Sequence, residues 1–190
     1  MCSNACGENQ SVALDGDPMR FVTIGEDNFG TFFEPVEVEV WGDQVAVCTG
    51  VQGLTVYRAA DACCVSLEQS IRFEAADVRF PRCQHLRRIG DRVVLTHRGD
   101  EIQPEPFLTV LDVQNVSDAK TLSTLVDLTV SFEGITSQDN LLYVALHEEG
   151  LAVYRLEDGG ELTELSRTAQ NISNAWKPLL DPVGAFLYLA

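Results

Sequence analysis

The hexapeptide GLAVYR at residues 150–155 nearly repeats GLTVYR at residues 53–58, and this repetition decides the fold. Each copy follows a turn and a run of apolar, β-branched residues, which is the pattern of a buried strand. The two copies are 97 residues apart, which leaves room for one further copy between them. FLTVLD at 107–112 occupies that place, displaced by the longer preceding turn GDEIQPEP at 99–106.

The strand before each hexapeptide also recurs. The residue before each apolar run is Gln44, Arg92, Asn140 or Ala185, which gives spacings of 48, 48 and 45 residues. A third, polar-alternating segment follows each hexapeptide in a complete period, and a fourth segment precedes each turn. No segment favours a helix, because apolar residues either alternate or run continuously for a few positions. Four short strands in a period of roughly 45 residues are typical of a β-propeller blade.

We therefore predict an all-β, β-propeller-like fold with about three four-stranded antiparallel blades and half of a fourth, that is, an incomplete ring. The predicted segments are a flexible, cysteine-containing tail at 1–17, an outer strand of a preceding blade at 18–34, and a partial propeller at 35–190, with blades at about 35–74, 83–128 and 132–170 and a partial blade at 174–190. A β-sandwich of similar strands is the structural alternative, but a sandwich does not require a regular repeat.

The fourth unit stops after its second strand, FLYLA at 186–190. Closed propellers usually have about four to eight blades, and proteins normally avoid an unpaired apolar edge strand. We therefore expect the chain to be a fragment whose remaining blades are supplied by missing sequence. The alternative is a half-ring that closes by association of identical subunits.

Two segments carry a family resemblance. GDQVAVCTGVQGLTVYR at 42–58 and DNLLYVALHEEGLAVYRLED at 139–158 resemble the LVIVD-type repeats of bacterial β-propellers, and the resemblance covers about 36–190. FLTVLDVQNVSDAKTL at 107–122 also fits, with Ala119 where the family usually has proline. The resemblance implies a secreted protein, with an extracellular, periplasmic or cell-surface location. The repeat itself implies no enzymatic activity.

The composition is acidic, with 29 acidic against 13 basic side chains and a formal net charge of −16. Such a surface repels phosphate backbones, so we expect no nucleic-acid partner. No window approaches the length of an apolar membrane span, so we expect none.

Six cysteines permit disulfides in an oxidising compartment. Cys48 lies in an apolar run and is interpreted as a buried free thiol. The spacing favours a short loop closed by the two cysteines of the tail, and a bridge from either vicinal cysteine to the last one. The disulfide candidates are Cys2, Cys6, Cys63, Cys64 and Cys83.

No common catalytic, nucleotide-binding or zinc-protease motif is present, and we expect no cofactor. Candidate ligand contacts therefore lie in loops that open on one face of a propeller. They are Gln52, Asp100, Glu101, Glu105, His147, Glu148 and Glu149. His97 and His147 are weak candidates for ligands of a divalent cation, and the favoured interpretation of these turns is a solvated polar surface without a metal.

Basic residues are also predicted near the propeller axis, where Arg87, Arg88 and Lys177 stand on strands that face the channel. The favoured interpretation is that they pair with Glu37 and Glu39 of a neighbouring strand or face solvent. Recognition of an anionic ligand is the alternative.

The leading functional hypothesis is a non-catalytic binding or scaffold module whose propeller face engages a protein or glycan at the cell surface. The alternative is an enzyme of the propeller hydrolase or lactonase type, with a metal site completed by missing blades. A third hypothesis is a structural spacer that binds no ligand.

Overall fold

The computed structural model describes residues 36–50, 53–61, 64–71, 82–99, 104–172, 174–181, 183–184 and 186–190, and the backbone of two short strands near the N-terminus. The strands are β1 Ser11–Ala13, β2 Arg20–Val22, β3 Glu37–Trp41, β4 Gln44–Cys48, β5 Leu54–Asp61, β6 Cys64–Ile71, β7 His85–Ile89, β8 Arg92–His97, β9 Phe107–Asp112, β10 Lys120–Val126, β11 Ile135–Gln138, β12 Leu141–Ala145, β13 Leu151–Leu156, β14 Leu162–Thr168, β15 Pro178–Leu180 and β16 Leu187–Leu189. A 3-10 helix, Val116–Asp118, lies between β9 and β10.

The strands form three four-stranded antiparallel sheets, β3 to β6, β7 to β10 and β11 to β14, and a two-stranded sheet, β15 with β16. A further pair, β1 with β2, lies before them. Each four-stranded sheet takes all of its strands from one sequence repeat. The predicted all-β, propeller-like fold with three blades and half of a fourth is confirmed, and we number the blades in chain order.

The inner strands of the blades are neighbours in the order β3, β7, β11 and β15. In the first three blades, a two-residue turn joins the inner strand to the second strand. The first residue of each turn has a positive φ, +67° at Gly42, +60° at Gly90 and +53° at Asp139. Glycine adopts this conformation without steric cost, and aspartate is one of the few other residues that tolerate it.

The three complete blades share an irregularity that the sequence pattern did not indicate. In each outer strand one extra residue interrupts the pairing with the third strand, namely Glu68 in β6, Leu122 in β10 and Leu165 in β14. These are β-bulges, which bend a strand and increase its twist. Because they occur at the same register, the three blades are copies of one structural unit in detail as well as in strand number.

The hydrophobic core lies between consecutive blades. Trp41 and Leu54 of the first blade pack with Leu86 and Phe107 of the second in one buried cluster. Burial on both faces explains why the central strands are continuously apolar.

A second buried cluster joins the next two blades. It contains Leu108 and Val110 from the other face of the second blade and Leu142 and Val144 from the third. Phe132, in the connection between these blades, is completely buried in the same cluster.

A disulfide between Cys48 and Cys83 joins the first blade to the second, with 5.0 Å between the Cα atoms. The interpretation of Cys48 as a free thiol is therefore wrong, and so is the bridge from the vicinal cysteines to Cys83. The backbone of Cys83 pairs with Gly50, which brings the connection between the blades against the end of β4. The spacing of cysteines along the chain does not indicate this contact. The other disulfide candidates, Cys2, Cys6, Cys63 and the side chain of Cys64, lie outside the described residues.

Candidate ligand-binding face

One end of the blades gathers the loops in which ligand contacts were expected. In the first blade, Gly50 of the loop between β4 and β5 pairs with Cys83 of the connection to the next blade. In the third blade, His147 of the loop between β12 and β13 pairs in the same way with Ala175. Both kinds of segment therefore lie at the same end, as predicted, and we name this end the loop face.

The inner strands begin at the loop face with a cluster of charged side chains, which we name the mouth cluster: Glu37, His85 and Lys177. The carboxylate of Glu37 accepts a hydrogen bond from His85 Nδ1 at 2.9 Å and one from the backbone N–H of Leu86 at 3.1 Å. Its other oxygen accepts from Lys177 Nζ. The cluster therefore joins the first, second and fourth inner strands, although Glu37 and Lys177 are 140 residues apart.

The carboxyl group of Glu37 has an altered acidity. Burial acts to raise its pKa, but hydrogen bonds from His85 and Lys177 and the attraction of their charges outweigh burial. The pKa of Glu37 is therefore lowered from the ordinary value of 4.5. A lowered pKa in the folded state means that ionised Glu37 stabilises the fold.

Acidification is therefore expected to remove this contribution of Glu37. It is fully present above the unfolded pKa of 4.5 and is lost as the pH falls through the lower folded value. We predict that Glu37→Gln destabilises the protein at about pH 6 and that the difference from wild type shrinks towards about pH 3. Urea unfolding across this range measures it. Lys177→Met should reduce the same pH dependence, and a constant difference for Glu37→Gln would contradict the assignment.

A second layer of paired charges lies below the mouth cluster. Glu39 accepts hydrogen bonds from the Arg87 guanidinium at 3.1 Å, from the Arg88 backbone N–H at 2.9 Å and from Trp41 Nε1 at 3.0 Å. Arg87 Nε also donates to Ser137 Oγ at 2.9 Å. The Arg88 guanidinium lies over the Trp41 ring, 5.0 Å from its centre.

These contacts decide between the two interpretations of the basic residues. Arg87 pairs with Glu39 and Lys177 pairs with Glu37, as predicted. Their charges therefore hold neighbouring inner strands together, which makes them weaker candidates for the capture of an anion.

An open groove of about 370 Å³ lies between the third and fourth blades, towards the end opposite the loop face. Asp181 lies on its wall, and one of its carboxylate oxygens accepts from the backbone N–H of Phe186 at 2.9 Å. The groove therefore offers few unengaged charged groups to a ligand. Its lining residues are Arg87, Thr136, Ser137, Gln138, Leu179, Leu180, Asp181, Val183 and Gly184.

The loop face carries an exposed aromatic residue that the sequence had placed on the axis. Trp176 lies just before β15 and is 48% exposed. The His147 ring contacts it edge-on, with 4.7 Å between the ring centres. Glu148 and Glu149, both predicted ligand contacts, are exposed in the same loop as His147. We name these four residues the Trp176 platform.

The backbone around the platform is fixed. His147 and Ala175 exchange two hydrogen bonds, and Trp176 N–H donates to the carbonyl of Ala190 at 2.6 Å. Gly134 N–H donates to the Trp176 carbonyl at 2.8 Å. A Cβ atom at Gly134 would lie 2.7 Å from that carbonyl oxygen, so this close approach requires glycine.

The remaining predicted site residues are not gathered at the platform. Glu105 is half-buried just before β9. Gln52, Asp100 and Glu101 lie outside the described residues. His97 is completely buried, and its ring packs against Phe107 with 4.9 Å between ring centres.

The two histidine rings considered for a metal site therefore pack against different partners, Phe107 and Trp176. Within the described ranges, no group of three or more histidine, cysteine, aspartate or glutamate side chains could hold a metal ion. The same part of the chain contains no helix long and apolar enough to cross a membrane. The sequence matches no known family model and no curated protein.

Proposed function

We propose that this chain is a non-catalytic binding module whose loop face engages a glycan or protein partner at the cell surface. The observation that carries the proposal is the half-exposed Trp176, held edge-on by His147 beside two exposed carboxylates. Tryptophan buries a large area on binding and is enriched among the residues that dominate interfaces.

The fixed backbone of the platform supports a role in binding. Ordering a side chain or loop on association costs free energy, and a residue that is already held in place avoids part of that cost. The contrast with the other tryptophan is direct, because Trp41 is only 6% exposed and its N–H is bonded to Glu39. Trp41 is a core residue, whereas Trp176 is available to a partner.

The charges beside the platform restrict the partner. Glu148 and Glu149 present carboxylates that accept hydrogen bonds from sugar hydroxyls or pair with basic protein groups. The net charge of −16 disfavours polyanions. We therefore propose a neutral glycan or a basic protein surface as the partner.

The proposed location follows from the cysteine chemistry. Structural disulfides persist in oxidising compartments and are rare in the cytosol. The Cys48–Cys83 bridge therefore supports an extracellular, periplasmic or cell-surface location. The equivalent bulges of the three blades support our further proposal that the chain belongs with the LVIVD-type propeller repeats.

Removing the indole of Trp176 tests the proposed function. We predict that Trp176→Ala weakens partner binding at least about tenfold, the loss expected when an interface anchor is truncated. The purified chain is applied to an array of neutral oligosaccharides and to an array of extracellular protein domains. Leu128→Ala is the matched control, because Leu128 is 73% exposed and lies away from the platform.

Tryptophan fluorescence then locates the contact. In a Trp41→Phe protein the sole tryptophan is Trp176, since the chain has two. A bound oligosaccharide should change its emission and protect it from a soluble quencher. Binding that is unaffected by Trp176→Ala, or no binding on either array, would refute the assignment of the platform.

A further inference from the structure

Each blade has two faces, a rear face towards the preceding blade and a forward face towards the next one. Val38, Leu86 and Ile135 occupy equivalent rear positions on β3, β7 and β11. Leu86 and Ile135 are only 3% exposed, because each packs in a core cluster with the preceding blade. Val38 is 57% exposed. The rear face of the first blade is therefore an interblade surface that the described residues do not cover.

The fourth blade shows the converse on its forward face. Tyr188 is equivalent to Ala46 and Val94, which are completely buried against the next blade. Tyr188 itself is 59% exposed, and its cross-strand partner Leu179 is 61% exposed. Phe186, on the same face, is 65% exposed. These three side chains form an apolar patch on β15, β16 and the residue before β16.

The two open faces match each other in polarity. Between the first and second blades, Glu39 on the forward face meets Arg88 on the rear face. The fourth blade has Leu179 at the position of Glu39, and the first blade has Val40 at the position of Arg88. Val40 is 69% exposed. Where internal blades place charges against each other, the two end faces both present apolar side chains.

We propose that a second copy of this chain docks head to tail, with the forward face of its fourth blade on the rear face of the first blade. One chain carries both halves of this interface. Two copies related by a twofold axis therefore cover all four open faces at once and close the assembly. Covering exposed apolar side chains supplies the driving force.

The charge of the chain sets the salt dependence of this assembly. Each copy has a formal net charge of −16, so the copies repel each other at long range. Salt screens that repulsion but leaves the apolar contact intact. Dimerisation is therefore expected to strengthen as the salt concentration rises, which is opposite to the behaviour of an interface held by ion pairs.

The test is the mass of the chain in solution, by light scattering and sedimentation over a range of concentrations and salt. We expect a dimer, and we expect Val40→Arg or Leu179→Glu alone to weaken it at least about tenfold, because each places an unpaired charge in an apolar interface. Leu128→Arg, away from both faces, is the control and should leave the dimer unchanged. The double variant Val40→Arg with Leu179→Glu should restore association, since it copies the charges that face each other between the first two blades.

Several results would overturn the proposal. These are a single-chain mass under all conditions, open assemblies larger than a dimer, or a dimer that resists both single variants. A chain that stays monomeric alone and binds only a separate propeller fragment would assign the open faces to other blades instead. Circular dichroism of each variant confirms that the substitutions, all at exposed positions, leave the fold intact.

Discussion

Replacing both Cys48 and Cys83 with alanine is expected to lower the free energy of unfolding by about 3–4 kcal/mol. The bridge spans a separation of 35 residues, and its loss frees the unfolded chain to sample many more conformations. Both cysteines are completely buried between the first two blades, so the substitution also removes packing there. Alanine is chosen because a buried serine hydroxyl would add an unrelated cost.

Urea unfolding with and without a reductant measures this effect. The wild-type protein in reductant should lose most of the same stability, whereas the double alanine variant should respond little to reductant. This comparison separates the bridge from the other cysteines of the chain. Equal stability of the wild type and the variant without reductant would show that the two thiols are not bridged in solution.

Truncating Phe132 to alanine is expected to destabilise the protein by about 3–5 kcal/mol, which makes it the most damaging single core substitution proposed for this chain. Phe132 is completely buried, and its ring packs between the second and third blades with Leu108, Leu142 and Tyr154. Alanine there removes the transfer free energy of the ring and leaves a cavity that the surrounding strands fill only in part.

Leu128→Ala is a matched control for this prediction, because Leu128 lies in the same connection between blades but is 73% exposed. Its change in unfolding free energy should stay within about 0.5 kcal/mol. Urea midpoints at unchanged slope give both values. A loss below about 1 kcal/mol for Phe132→Ala would mean that the two blades do not pack tightly through this residue.

The two predictions concern different interfaces, and together they describe how this fold is held. The first two blades are joined by a covalent bridge and a buried cluster, and the next two by a cluster centred on Phe132. In repeat proteins, stability is approximately a sum of units and nearest-neighbour interfaces. Damage at one interface therefore need not disturb the loop face at another, which allows the binding test on Trp176 to be read separately.

The architecture was readable from sequence because its signals are local. An apolar run such as VAV in β4 or LLYVA in β12, with Gly42 or Asp139 before it, depends only on adjacent residues. The near-repeat of GLTVYR and GLAVYR then set the period, and the period set the number of strands in each blade. Tyr57 and Tyr154, which were expected to be equivalent, do occupy the same register on β5 and β13.

The candidate site was readable only in part. His147, Glu148 and Glu149 were found because polar residues in a turn between apolar strands stand out locally. The part played by Trp176 was missed, because a tryptophan just before a strand has the same local pattern whether it faces a core or solvent. Its exposure depends on the pairing of its neighbour Ala175 with His147.

The sequence by itself determined the β-fold, the repeat, the half-finished fourth blade and the pairing of Arg87 and Lys177 with acidic residues of β3. The tertiary structure alone decided the Cys48–Cys83 bridge, the shared bulge, the burial of His97 and the contact of Glu37 with Lys177 across 140 residues. The physical reason is distance along the chain. Strand formation and turn chemistry depend on neighbouring residues, whereas these contacts exist only after separate blades have packed against one another.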